Sequence, residues 1–128
     1  MDMNMKILIV DDSRPMLKII RNLLKQIGLA NVEEATDGVE ALKILRAGSG
    51  WGLIVSDWNM DPGMNGLPFL KEVRADATLK HIPFVMITAE SKTDNVIAAK
   101  QAGVNNYIVK PFNAETLKGK LKAVFGDF

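Results

Sequence analysis

Five short apolar runs recur along the chain, and the segments between them carry apolar residues at helical spacing. That alternation limits the fold more than any other feature. Lys6-Ile7-Leu8-Ile9-Val10 is continuously apolar after its first residue, the pattern of a parallel strand covered on both faces. Met16, Ile19, Ile20, Leu23, Leu24 and Ile27 then mark one helix face, with Ser13 placed to cap it, Pro15 tolerated in its first turn and Gly28 placed to close it. Asn31 to Ala35 reads as a weaker strand. Asp37 and Glu40 resemble a capping box for a helix bearing Val39, Ala41, Leu42 and Leu45. Leu53 to Val55 leads straight into Ser56-Asp57, and a turn-rich loop, Met60 to Gly66, precedes a helix with Leu67, Leu70 and Val73 on its apolar face. Ile82 to Ile87 reads as a fourth strand, Asp94 to Ala102 as a helix stopped by Gly103, and Tyr107 to Val109 as a fifth strand. Asn113 is placed to cap a last helix carrying Leu117, Leu121, Val124 and Phe125.

Strands and helices alternating over short connections imply an α/β, doubly wound fold with a parallel sheet and helices on both faces. The 128 residues fit one domain, residues 1–128, with no linker, repeat or low-complexity break and no output domain expected. In such a sheet every strand's C-terminal end lies on one edge, where ligands bind. Asp11 and Asp12 follow the first run, Asp57 the third, Thr88 the fourth and Lys110 the fifth. If the strand order is 2-1-3-4-5, an order borrowed from known flavodoxin-like sheets, the three aspartates are neighbours.

Three adjacent carboxylates repel one another unless a cation intervenes. Mg²⁺ suits them, because it is hard, binds through a few carboxylates and also accepts phosphate oxygens. A lysine opposite can neutralise a transferred phosphoryl group, and a threonine hydroxyl can donate to one of its oxygens. Phosphoryl transfer needs mainly positioning and charge stabilisation, with Asp57 as the nucleophile. Each residue also has a plainer reading: Asp11-Asp12 as a helix cap, Asp57 and Thr88 as strand ends, Lys110 as a solvated lysine. Their common edge is what favours the chemical reading.

With these residues in place the chain resembles the receiver domains of bacterial two-component response regulators, nearest their chemotaxis branch. The resemblance is carried by Val10-Asp11-Asp12-Ser13, Ser56-Asp57-Trp58-Asn59-Met60, Thr88-Ala89-Glu90 and Tyr107-Ile108-Val109-Lys110-Pro111-Phe112. It is extended by Val32 to Ala35 with Asp37-Gly38-Val39, and by Gln101-Ala102-Gly103, so it spans nearly the whole chain. It implies a (βα)5 flavodoxin-like fold and Mg²⁺-dependent phosphorylation of Asp57 by a histidine kinase. Asp12 and Asp57 would ligate the metal directly, Asp11 mostly through water, and Asn59 through its backbone carbonyl. Lys110 would pair with the phosphoryl group, Thr88 would move to bond it, and Tyr107 would rotate inward. The face of helix four, strand five and helix five would then dock a target such as the flagellar motor switch. Asn59 and Glu90 would tune dephosphorylation, a phosphatase is a further candidate partner, and Lys110-Pro111 would be cis.

Two departures follow. The family's turn glycine stands eight residues after the acceptor, whereas Gly66 stands nine after Asp57, with Asp61-Pro62-Gly63 holding the extra residue beside the metal site. Thr93, Val104 and Asn105 give the output face its own chemistry. The absence of cysteine excludes disulfides and thiolate catalysis. A net charge of +1 supplies no strong field for nucleic acid or an anionic membrane, and no apolar run approaches the roughly 20 residues of a membrane span. A cytoplasmic monomer that signals without turning over a metabolite is the expectation. Two alternatives stay open: a receiver acting as a phosphate sink or kinase regulator, and an aspartate-nucleophile phosphatase. The second usually places another Asp two positions after its nucleophile on strand one, and here Asp11 and Asp12 are adjacent. His81, the only histidine, reads as a surface residue, and the glycines 48, 50 and 52 miss a dinucleotide pattern.

Overall fold

In the computed structural model, which describes residues 2–89 and 93–126, five parallel strands alternate with five helices. They are β1 (Lys6–Val10), α1 (Arg14–Ile27), β2 (Val32–Ala35), α2 (Gly38–Ala47), β3 (Trp51–Asp57), α3 (Gly66–Ala75), β4 (Phe84–Thr88), α4 (Thr93–Gln101), β5 (Asn106–Val109) and α5 (Ala114–Phe125). The strand order is β2-β1-β3-β4-β5, a flavodoxin-like sheet.

Successive strand residues point to opposite faces, so continuously apolar strands build two cores. Leu8, Val10, Ile54, Phe84 and Met86 pack with Leu42 and Leu45 of α2 and Phe69, Leu70 and Val73 of α3. Ile7, Ile9, Leu53, Val55, Val85, Ile87 and Ile108 pack with Leu17, Ile20 and Leu24 of α1 and Leu117 and Leu121 of α5. Each such buried side chain stabilises the fold by about 1.5–3 kcal/mol relative to exposure.

Local signals agree with these elements. Ser13 Oγ accepts the Met16 N–H at 3.3 Å, and Gly28 closes α1 with φ +104°, a conformation that favours glycine. Asp37 Oδ1 accepts the Glu40 N–H at 2.9 Å, but Glu40 reaches back to Thr36 N–H (3.1 Å), one residue beyond the expected box. Asn113 Oδ1 accepts the Thr116 N–H at 2.8 Å. Three expectations need correction. β3 begins at Trp51, ahead of the apolar run that announced it. Leu67, expected on the apolar face of α3, is only half-buried, and Phe69 takes the core position instead. β4 starts at Phe84, because Pro83 contributes only its carbonyl, to Ile54 N–H at 2.9 Å.

Candidate functional site

Register decides which side chains meet. Val10 pairs with Ser56 on β1 and β3, so Asp11 and Asp57, one step on, stand side by side. Asp57 pairs with Ile87 on β4, and Thr88 pairs with Val109 on β5, so Lys110 follows immediately beyond Thr88. The Lys110 N–H donates to the Thr88 carbonyl at 2.8 Å, fixing where the lysine leaves the sheet.

Asp11, Asp12 and Asp57 each offer a carboxylate oxygen, all lying within 4.8 Å of one another. Asp11 and Asp57 are buried; Asp12 is exposed. Lys110 Nζ reaches between the buried pair, 3.3 Å from Asp11 Oδ2 and 3.3 Å from Asp57 Oδ1. Asp11 Oδ1 accepts the Ser13 N–H at 2.9 Å, a local turn ahead of α1; the helix cap itself is Ser13, so Asp11 does not take the plainer capping role. Asp57 Oδ1 also accepts the Trp58 N–H at 2.9 Å, whereas no described residue donates to Asp57 Oδ2. One oxygen is anchored and the other is open.

Burial pushes the Asp57 carboxyl up to about 6, the Asp11 charge pushes the same way, and Lys110 and the Trp58 N–H oppose them. Burial also raises Asp11, against the Ser13 and Lys110 bonds. A raised carboxyl binds its proton more tightly folded than unfolded, so its ionisation costs stability. For Asp57 that penalty is complete above about pH 6 and fades as pH falls towards the ordinary 3.8. Metal-free protein should therefore gain about 1 kcal/mol, after solvent screening, between pH 7.5 and 5 from this group. Urea unfolding in EDTA at the two pH values checks it. Asp57→Asn should be more stable than the wild type at pH 7.5 and should flatten the slope; a steeper slope would contradict the assignment.

The donor set fits a hard divalent cation: three carboxylates on one edge, two of them desolvated and held together at the cost of a raised pKa. Asp61, in the stretch that holds the extra loop residue, stays out of that group; its Oδ1 accepts from Asn65 Nδ2 at 2.9 Å.

The other expected residues lie around this centre. Thr88 is buried at the end of β4. Asn59 is exposed on the loop, with Oδ1 accepting the Asp61 N–H at 3.2 Å. Tyr107 is half-buried on β5, its ring edge-on to Trp58 at 6.3 Å. Lys110-Pro111 is cis, as expected, and Asp61-Pro62 is cis as well, which nothing in the sequence reading anticipated. Glu90 lies outside the described residues. Asn65 was overlooked. It stands where a cap of α3 belongs, yet its side chain makes no capping bond and serves the loop instead.

Residues 7–122 match the response regulator receiver domain. The chain is 56% identical over 122 residues to the chemotaxis protein CheY-3 of Vibrio cholerae, covering 95% of this chain and 92% of that one. It is 54% identical over 121 residues to the chemotaxis protein CheY of Pseudomonas aeruginosa, covering 94% and 96%. Among solved structures, the chemotaxis response regulator CheY4 of Vibrio cholerae superposes with a TM-score of 0.84 at 37% identity, covering 94% of this chain and 98% of that one. The receiver domain of sensor histidine kinase PA1611 from Pseudomonas aeruginosa, solved with a magnesium ion in its active-site cleft, gives 0.84 at 26% identity, covering 97% and 99%. A sheet of this order, an acidic cluster at its C-terminal edge and these likenesses together establish that the chain belongs to the response regulator receiver family and is CheY-like.

Proposed function

We propose that this receiver signals in chemotaxis by Mg²⁺-dependent phosphorylation of Asp57 from a histidine kinase's phosphohistidine. The carrying observation is the Asp57 carboxylate, with Oδ1 anchored by Trp58 N–H and Lys110 while Oδ2 is open. Asp57 attacks the phosphorus, the phosphorus–nitrogen bond breaks, and the imidazole leaves; the product is an acyl phosphate on Asp57. In this reading Asp12, Asp57 and the Asn59 carbonyl would hold the cation directly and Asp11 mostly through water. When bound, Mg²⁺ supplies the positive charge that offsets the transferring phosphoryl oxygens. Lys110 turns from its carboxylate partners to a phosphoryl oxygen, and Thr88, at the end of the neighbouring strand, donates its hydroxyl to another.

These contacts differ between the two states, so they shift the equilibrium between two conformers. Tyr107 follows inward, and the surface of α4, β5 and α5 changes its affinity for a target. That surface offers exposed Ile97 and Val109. The flagellar motor switch, the target that the resemblance to receivers of the chemotaxis branch implies, is the first candidate. Binding of a motor-switch peptide, measured with Mg²⁺ alone and with Mg²⁺ and beryllofluoride, tests the output. At least a tenfold gain in affinity, about 1.4 kcal/mol, is expected. Unchanged affinity would contradict the motor reading and favour a phosphate sink.

A further inference from the structure

The β3–α3 loop is held by the side chain of Asn65. Its Oδ1 accepts the Met60 N–H at 2.6 Å and its Nδ2 donates to Asp61 Oδ1 at 2.9 Å. The Asp61 N–H donates in turn to Asn59 Oδ1 at 3.2 Å. These bonds close a ring around the Asn59–Met60 peptide. That peptide is trans, so its N–H and C=O point to opposite sides of the chain. Tying the N–H to Asn65 therefore fixes the direction of the Asn59 carbonyl oxygen, away from Asn65. No described residue donates to that oxygen, whereas the Met60 carbonyl is taken by the Gly63 N–H at 2.8 Å. Met60 and Asp61 line the same open cleft of about 490 Å³ as Asp12. The helix forgoes something for this arrangement. An Asn at this position ordinarily caps the first turn, worth about 1 kcal/mol, and here it does not.

We propose that Asn65 is a positioning residue for the divalent cation, setting the plane of the Asn59–Met60 peptide and hence the aim of the Asn59 carbonyl. Asp61 completes the device. By taking the Nδ2 end of the carboxamide, it leaves the oxygen end to face Met60 N–H. Asp61, from the stretch that holds the extra loop residue, thus supplies the group that orients the orienting side chain. The proposal rests on the reading above that the aspartate cluster and the Asn59 carbonyl hold Mg²⁺.

Calorimetric titration of the full chain with Mg²⁺ tests it without reference to phosphorylation. Partners that orient metal ligands typically matter about 10–100-fold in affinity, and N65A is expected to weaken binding about tenfold. N65D keeps an acceptor for Met60 N–H but sets a second carboxylate against Asp61, so it should also weaken binding. The double variant D61N/N65D reverses the polarity of the pair and should recover the wild-type affinity to within about threefold. A merely structural role would lower the unfolding temperature in EDTA and leave the Mg²⁺ affinity alone. N65A within about twofold of the wild type, or a double variant no tighter than N65D, would overturn the proposal. Should N65A not fold, the comparison of N65D with the double variant decides. A wild type that binds no Mg²⁺ would overturn the reading beneath it as well, and the two failures are distinguishable.

Discussion

Gly66→Ala should destabilise the protein by about 2–3 kcal/mol, although alanine is the better helix former by about 1 kcal/mol. Gly66 opens α3, and its N–H donates to the Trp58 carbonyl at 2.9 Å. A β-carbon there would collide with the carbonyl oxygen of Asp57 and lie 3.1 Å from the Trp58 Cα and 2.7 Å from the Met86 sulfur. The sulfur can move; the other two atoms are backbone at the end of a central strand. Relief must therefore displace the strand end that carries the acceptor. Gly119→Ala is the control, because nothing lies within 4 Å of its added carbon and the residue is exposed within α5. It should stabilise by about 1 kcal/mol. Chemical denaturation of both variants measures the difference in sign. If both substitutions stabilised, the close approach of α3 to Asp57 would be disproved.

Lys110→Met should move two properties of the site in opposite directions. The ammonium stands 3.3 Å from both Asp11 and Asp57, within the carboxylate pocket that would hold a cation. A unit charge about 4 Å away is worth several kcal/mol at the effective dielectric of a partly buried site, before screening. Removing it should strengthen Mg²⁺ binding, by about tenfold at pH 8 where proton competition is small. The phosphoryl oxygens would meanwhile lose their pre-placed cation, and such losses slow reactions by about 100-fold or more. Adduct formation from acetyl phosphate should fall by that order while metal affinity rises. Losing both together would point to a collapsed site. Losing neither would remove Lys110 from the mechanism.

The sheet was legible because its strands are covered on both faces. Ile7 to Val10 and Leu53 to Val55 are continuously apolar, and a continuous run between turn signals leaves few alternatives. The shared edge of Asp11, Asp57, Thr88 and Lys110 followed from parallel geometry, since Asp57 and Thr88 end their strands and Asp11 and Lys110 come directly after theirs; placing the aspartates side by side also needed the borrowed strand order. Less legible was the start of β3, where Trp51-Gly52 lacks the strand pattern. Trp51 is nonetheless buried, with Lys6 Nζ 4.1 Å from its ring centroid. Phe69 was missed because the helical period through Leu67, Leu70 and Val73 allowed two neighbouring faces, and only packing against Phe84 at 5.3 Å selects one. The loop beyond Asn59 was illegible for another reason. Its course depends on side-chain bonds of Asn65 and on where Gly66 must sit beneath Asp57. Spacing along the chain encodes neither. The Asp61 to Gly63 stretch turns back on itself, with Gly63 N–H on the Met60 carbonyl, and Gly66 sits directly against the acceptor strand.

The central claim is that Asp57 is the phosphoacceptor. Intact-mass measurement after incubation with Mg²⁺ and acetyl phosphate tests it most directly, on the wild type and on Asp57→Ala. The account predicts one phosphoryl group on the wild type, stable in acid and labile in base as an acyl phosphate is, and none on the variant. No adduct on the wild type, or an equal adduct on Asp57→Ala, would contradict it.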